Sequence, residues 1–137
     1  ASSSDITIQD RASVYMELAD VFLLNKLQHE ATKVVQDALN EFRGTTEESR
    51  ISVANVDLLL ARGDTENALG ILKRIEPSQP YYVDAREKMA SIYLNYRKDK
   101  RLYIATYKEL AEKFQNPHSL ILLGDAYMNI IEVIMNQ

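Results

Sequence analysis

Side chains suited to catalysis are few and dispersed in this 137-residue sequence. It contains two histidines, His29 and His118, and no cysteine. Neither histidine has the second imidazole, thiolate or hydroxyl at the spacing that a zinc site or an activated nucleophile needs. His29 falls at a helix–helix turn and His118 in a first helical turn, so both read as surface or capping residues. Gly63 and Gly124 belong to no phosphate-cradling loop and no dinucleotide fingerprint. The 20 acidic residues are spread over helix faces, and no general acid–base pair can be singled out. The residues therefore predict a protein that is not an enzyme and holds no metal and no cofactor. One regularity among the polar residues stands apart. Asp20, Asp57, Ser91 and Asp125 each directly follow a small or compact apolar residue: Ala19, Val56, Ala90 and Gly124.

Those four apolar positions belong to a longer pattern. Tyr15-x-x-Leu18-Ala19-x-x-Phe22 returns as Arg86-x-x-Met89-Ala90-x-x-Tyr93 and as Leu120-x-x-Leu123-Gly124-x-x-Tyr127, with a weaker copy at Ser52-x-x-Asn55-Val56-x-x-Leu59. The small positions are 37, 34 and 34 residues apart. A period near 34 is the mark of a helical repeat array, in which each unit buries its apolar face only against its neighbours. Such an array offers an extended binding surface rather than a catalytic pocket.

Composition narrows the class further. A hydrophobic fraction of 46% with 26% charged residues is ordinary for a folded soluble chain. A net charge of -4 argues against a nucleic-acid module, which carries a basic stripe. The one basic cluster, Arg97-Lys98-Asp99-Lys100-Arg101, is interrupted by an acid and reads as a solvated turn. No apolar run is expected to reach the length that crosses a bilayer, so no membrane insertion is expected. The amino end lacks the layout of a signal peptide, and the absence of cysteine fits a reducing compartment.

Helical periodicity covers nearly the whole chain. The first helix is expected from Asp10 to Asn25 with Val14, Tyr15, Leu18, Val21 and Phe22 on its apolar face. The second runs from Leu27 to Phe42 through Ala31, Val34, Val35, Ala38 and Leu39, and Gly44 ends it. Thr45-x-x-Glu48 has the form of a capping box for the third, which reaches Arg62. Asp64 caps the fourth, through Ala68, Ile71, Leu72 and Ile75, before Pro77 and Pro80. The fifth spans Tyr81 to Tyr96 and the sixth Arg101 to Phe114. Asn116-Pro117 starts the seventh.

The recurring spacing resembles the tetratricopeptide repeat, which pairs two antiparallel helices with W-x-x-L-G-x-x-Y in the first and A-x-x-x-F in the second. Second-helix matches occur at Ala31-x-x-x-Val35 and Ala68-x-x-x-Leu72, and a displaced one at Tyr103 and Tyr107. The resemblance implies an all-α solenoid, a right-handed superhelix of about three and a half repeats and seven helices. Its segments are a flexible 1–9, repeats at 10–44, 45–80 and 81–116, and the first helix of a fourth repeat at 117–137. Ala19, Ala31, Ala68, Ala90 and Gly124 are expected where helix backbones approach closely, and Tyr15, Phe22, Tyr93, Tyr107 and Tyr127 where neighbouring repeats leave space.

Arg11 to Asp20, Leu58 to Leu69 and Tyr107 to Phe114 are similar to the tetratricopeptide repeat protein 21 family, a resemblance covering Ser13 to Asn129. That family implies a repeat subunit of intraflagellar transport complex A in retrograde ciliary traffic. It further implies a cytoplasmic and ciliary location, at the ciliary base and axoneme, and a chain that is part of a longer solenoid. In the repeat class the first helix of each pair lines the concave groove, so Asp20, Asp57, Ser91 and Asp125 become groove candidates. Glu17, Asp84 and Glu87 lie near them, with Arg50 and Lys88 as partial offsets. Such a surface would favour a basic peptide segment, captured by a stand-alone adaptor in the alternative reading. It would repel the carboxylate tails that a related clamp grips, and Met16 and Asp20 stand where that clamp needs basic or amide groups. Ile130, Ile131 and Ile134 continue the spacing of Leu120, Leu123 and Tyr127, from which a homodimer through the last helix is expected.

Overall fold

Four of the helices in this chain begin at a side chain that accepts a hydrogen bond from the third residue beyond it. Thr7 takes the amide of Asp10 (3.0 Å), Asp64 that of Asn67 (3.2 Å), Asp99 that of Leu102 (3.0 Å) and Asn116 that of Ser119 (2.9 Å). Each satisfies one amide that the first helical turn leaves without a backbone partner. A computed structural model describes residues 7–136, and among these it contains seven α-helices and no strand. They are α1 (Ile8–Leu24), α2 (Gln28–Glu41), α3 (Glu48–Ala61), α4 (Thr65–Lys73), α5 (Tyr82–Asn95), α6 (Lys100–Lys113) and α7 (Pro117–Met135). Of the segment expected to be flexible, residues 1–6 lie outside the described residues; Thr7 is a cap, and Ile8 and Gln9 are already helical. The all-α repeat architecture follows from the periodicity, because each run of three- and four-residue apolar spacing became one helix.

The chain divides into two compact units between Ile75 and Glu76. In the first, α1 packs on α2, α2 on α3 and α3 on α4, with a further contact from α1 to α3. Its core includes the clusters Ala12, Ala38, Phe42 and Ile51, and Ala19, Ala31, Val35 and Leu58, with Val56, Ala68 and Leu72 buried on α3 and α4. Alanines seven residues apart on both α1 and α2 let the two helices meet closely along a seam. The ring of Tyr15 meets that of Phe42 edge-on, with centroids 5.7 Å apart. Arg50 ties α3 to α1 through the Ser13 hydroxyl (2.6 Å) while pairing with Glu47 (2.8 Å). It is therefore a clamp between helices rather than the groove cation that its charge implied.

In the second unit α6 packs on both α5 and α7. Tyr103 and Tyr107 are buried and meet edge-on at 5.3 Å, holding the places where the repeat pattern has an alanine and an aromatic. Arg86, in the slot the repeat gives to tryptophan, lies over the Tyr82 ring (5.3 Å to the centroid). It donates to the Tyr82 hydroxyl (3.0 Å) and pairs with Glu109 (2.6 Å). A planar cation stacked on an aromatic face substitutes here for an indole.

Three turns within helix pairs share one device, a residue in the left-handed region: Lys26 (φ 62°), Gly63 (φ 77°) and Lys98 (φ 56°). Only the glycine announces this in the sequence. Asp99 interrupts the basic cluster because it caps α6.

Several expectations fail on particular residues. The core-facing side of α1 is centred on Ala12 and Ala19, whereas Val14, Leu18 and Val21 are exposed; the apolar residues of α1 cover more than one face. Thr45 caps nothing as a box: α3 starts at Glu48, the Thr45 hydroxyl donates to the Phe42 carbonyl (2.6 Å), and its oxygen accepts from the Glu47 amide (3.2 Å). Gly124 packs against nothing, since a Cβ there would meet no atom within 4 Å, and Tyr127 is 42% exposed. Ser119 and Ala126 face the core of α7 instead. α7 also overturns the expectation about apolar length: its 19 residues contain an 18-residue stretch with a mean hydropathy of 1.3, long and apolar enough to cross a membrane by length and composition.

Asn116→Ala should destabilise the second unit by about 1 kcal/mol, the usual cost of losing such a cap. Matched urea titrations of the two proteins check this, and identical midpoints would show that Pro117 alone fixes the start of α7.

Candidate interaction surfaces

Two kinds of surface are available for partners: scattered carboxylates on the first helix of each pair, and an apolar groove. Glu17 and Asp20 are exposed on α1 and Asp57 is exposed on α3, the helix that packs against α1, so the first unit holds three of the sequence-derived groove residues. Asp84, Glu87 and Ser91 lie on α5 within two turns of one another, and Asp125 lies on α7. Asp84, Ser91 and Asp125 are exposed. Glu87 and Ser91 are engaged internally. Glu87 is half-buried and accepts from the Tyr107 hydroxyl (3.3 Å), and Ser91 accepts from the Asn95 amide (3.1 Å).

The Tyr107–Glu87 contact links α6 to α5 and has an electrostatic consequence. Burial disfavours the phenolate of Tyr107 and the adjacent Glu87 carboxylate repels it, so its pKa is raised well above the usual 10. The unfolded phenol ionises near pH 10 while the folded one stays protonated. The folded state thus binds more protons, and its stability, full below pH 10, falls as pH rises beyond it. Titration by absorbance near 295 nm should show a late step, to which Tyr107 contributes one phenol, after the exposed tyrosines have titrated. In Tyr107→Phe that late step should shrink by one phenol, and the loss of stability at high pH should be smaller.

The groove lies between α6 and α7. Its α6 wall carries Arg101, Ile104, Ala105 and Lys108, and its α7 wall Tyr127, Ile130 and Ile134. Lys100 closes one end. Of the three isoleucines singled out in the sequence, Ile130 and Ile134 line this groove, and Ile131 is exposed on the adjoining side of α7. The basic residues opposite them were missed, because only the packing of α7 brings its isoleucines beside the Arg101 and Lys108 face of α6. A second apolar exposure, Val14 and Leu18 beside Arg11 and Tyr15, lies on α1. His29 and His118 are exposed, and no cluster of metal-ligating side chains occurs among the described residues.

The helix pairs and their buried small residues can be set beside known proteins. A family model described as the tetratricopeptide repeat protein 21 ARM repeat matches residues 1–110. The chain belongs to the tetratricopeptide repeat protein 21 family. Among its relatives, tetratricopeptide repeat protein 21B of Homo sapiens is 57% identical over 129 residues, 94% of this chain and 10% of the relative. Tetratricopeptide repeat protein 21A of Mus musculus is 55% identical over 132 residues, 96% of this chain and 10% of the relative. The tetratricopeptide repeat protein 21 homolog of Caenorhabditis elegans is 43% identical over 122 residues, 89% and 9%. The chain spans about a tenth of the length of these relatives. Family membership makes the chain part of a helical-repeat protein. The ARM description of the matched stretch and the tetratricopeptide motif both denote stacked helices, each layer buried against the next. The weak motif fit at Ser52, Arg86 and Leu120 follows from this: close helix approach rests on Ala12, Ala19, Ala31, Ala85 and Ala90, all buried, rather than on the motif's tryptophan.

Proposed function

We propose that this chain is a non-catalytic protein–protein interaction scaffold of intraflagellar transport complex A, acting in retrograde ciliary transport and cilium assembly. The observation that carries the reading is the match to the tetratricopeptide repeat protein 21 family over most of the chain. The helix pairs support it physically, since repeat stacks present long exposed faces on rigid elements and no enclosed pocket is needed for that role. In this reading the chain works in the cytoplasm and the cilium, at the ciliary base and along the axoneme, and its partners are other subunits of that complex.

The exposed carboxylates Glu17, Asp20 and Asp57 of the first unit give the scaffold an anionic contact. It takes basic segments, and salt weakens that contact. Affinity purification of the tagged chain from ciliated cells, read by mass spectrometry, tests the assembly. Recovery of transport-complex subunits is expected, and their absence from a well-expressed bait overturns the reading. Asp20→Lys with Asp57→Lys should lower recovery of any partner held through the first unit. If recovery stays unchanged while the parent captures the complex, the partner lies on another face.

A further inference from the structure

We infer that the α5–α6 turn is a docking site for an extended acidic peptide segment that carries an apolar residue between its carboxylates. Positive charge is concentrated here. Between Glu87 and Glu109 the chain has six lysines and arginines, four of them within 97–101, and a single acid, Asp99, in a protein of net charge -4. That acid is engaged, because it caps α6 by accepting from the Leu102 amide (3.0 Å). The turn itself is pinned: the Asp99 amide donates to the Tyr93 carbonyl (2.8 Å) and the Arg97 amide to the Ile92 carbonyl (3.2 Å). Its cations are therefore presented from a fixed backbone, which lowers the ordering cost of binding.

The charges border a recess. Leu94 and Asn95 at the end of α5, Lys98 in the turn and Lys100 at the start of α6 line it, and Val133 of α7 closes the far side. Its helical walls come from α5 and α7, the first helices of successive pairs, so it lies between two layers rather than on the outer face of the last one. No carboxylate lines the recess, and neither Lys98 nor Lys100 forms an ion pair with any of the described residues. Asn95 donates one amide hydrogen to the Ser91 hydroxyl (3.1 Å) and keeps a second for a ligand. Two ammonium groups for carboxylates, an amide donor for a backbone carbonyl, and Leu94 and Val133 for an apolar side chain make the chemistry of an acidic peptide site. An extended chain can enter such a recess, whereas a flat anionic bilayer would meet only the surface of the turn and leave the apolar wall unused. Charge selects the partner, and the apolar wall adds contact that charge alone does not supply. The anionic contact of the first unit takes the opposite charge, so the two units discriminate between segments by sign. This inference goes beyond the scaffold reading and does not rest on it.

Fluorescence anisotropy with the full chain and a labelled peptide, a leucine flanked on each side by two glutamates, tests it. The peptide should bind, and more weakly as salt rises. The same peptide with glutamine for glutamate should bind about tenfold more weakly or less tightly still, and one with serine for leucine severalfold more weakly. Lys98→Gly with Lys100→Ala should weaken binding about tenfold or more, while the turn keeps its form because Gly63 holds the same left-handed conformation between α3 and α4. Lys26→Gly, the matching change in the α1–α2 turn, should leave binding unchanged. An unaltered helical circular dichroism spectrum confirms the fold of each variant. A glutamate peptide that fails to bind overturns the inference, as does a glutamine peptide or a Lys98, Lys100 variant that binds as tightly as its parent. Equal binding of the serine peptide overturns the assigned recess. Binding to phosphatidylserine vesicles without binding to the peptide would assign the turn to a membrane surface instead and overturn the inference too.

Discussion

Phe42→Ala should lower the stability of the first unit by about 3–5 kcal/mol, the usual cost of emptying a large aromatic site in a core. Phe42 is 2% exposed and follows the last turn of α2, where it packs with Ala12, Ala38 and Ile51. Tyr15 meets its ring edge-on, and the Arg11 guanidinium sits over it at 5.9 Å. Truncation therefore removes contacts to α1, α2 and α3 together. The alanines around it have no longer side chain to swing into the void, so the site collapses poorly. Since a unit of this size holds only several kcal/mol in total, most of its stability would go. Urea unfolding followed by circular dichroism should show a lower midpoint for the amino-terminal transition. A loss below about 1 kcal/mol would mean that Tyr15 refills the space.

The second large effect contrasts two positions that the repeat pattern treats as equivalent. Ala19→Leu should destabilise the first unit by about 1–3 kcal/mol through overpacking, because Ala19 is buried against Ala31 and Val35 where α1 and α2 meet. Gly124→Ala should act in the opposite sense. No atom crowds its Cβ position, and glycine in a helix interior is less favourable than alanine by roughly 0.5–1 kcal/mol. Gln36→Leu, at an exposed position of α2, serves as a near-neutral control. Thermal melts of the three variants check the signs. A stabilised Ala19→Leu, or a destabilised Gly124→Ala, would contradict the packing described.

How much was legible in the sequence follows from the same residues. Helix number and order were readable because Gly44, Gly63 and Asn116-Pro117 mark breaks by local chemistry that tertiary structure does not alter. Asp64 was readable as a cap for the same reason. The buried face of α1 was not, since apolar residues occupy more than one side and only the approach of α2 selects Ala12 and Ala19. The breaks near Lys26 and Lys98 were placed, but their left-handed backbone was hidden, because a lysine forced into that region leaves no compositional trace. The carboxylates were visible as a pattern, but the hydrogen bond that engages Glu87 depends on Tyr107, 20 residues away. Arg101 read as part of a solvated turn until α7 supplied the opposite wall of the groove.

The two clusters of the first unit also set an order of events as the chain leaves the ribosome. Ile51 completes one cluster and Leu58 the other, and both belong to α3. When α1 and α2 have emerged alone, the seam of alanines offers little apolar area, and Phe42 and Val35 lack their covering residues. The first helix pair should therefore exchange its amide hydrogens quickly and resist proteolysis poorly until α3 is available. Nascent chains stalled just before and just after α3 clears the exit tunnel should differ sharply in protection, although the later one adds only a single helix.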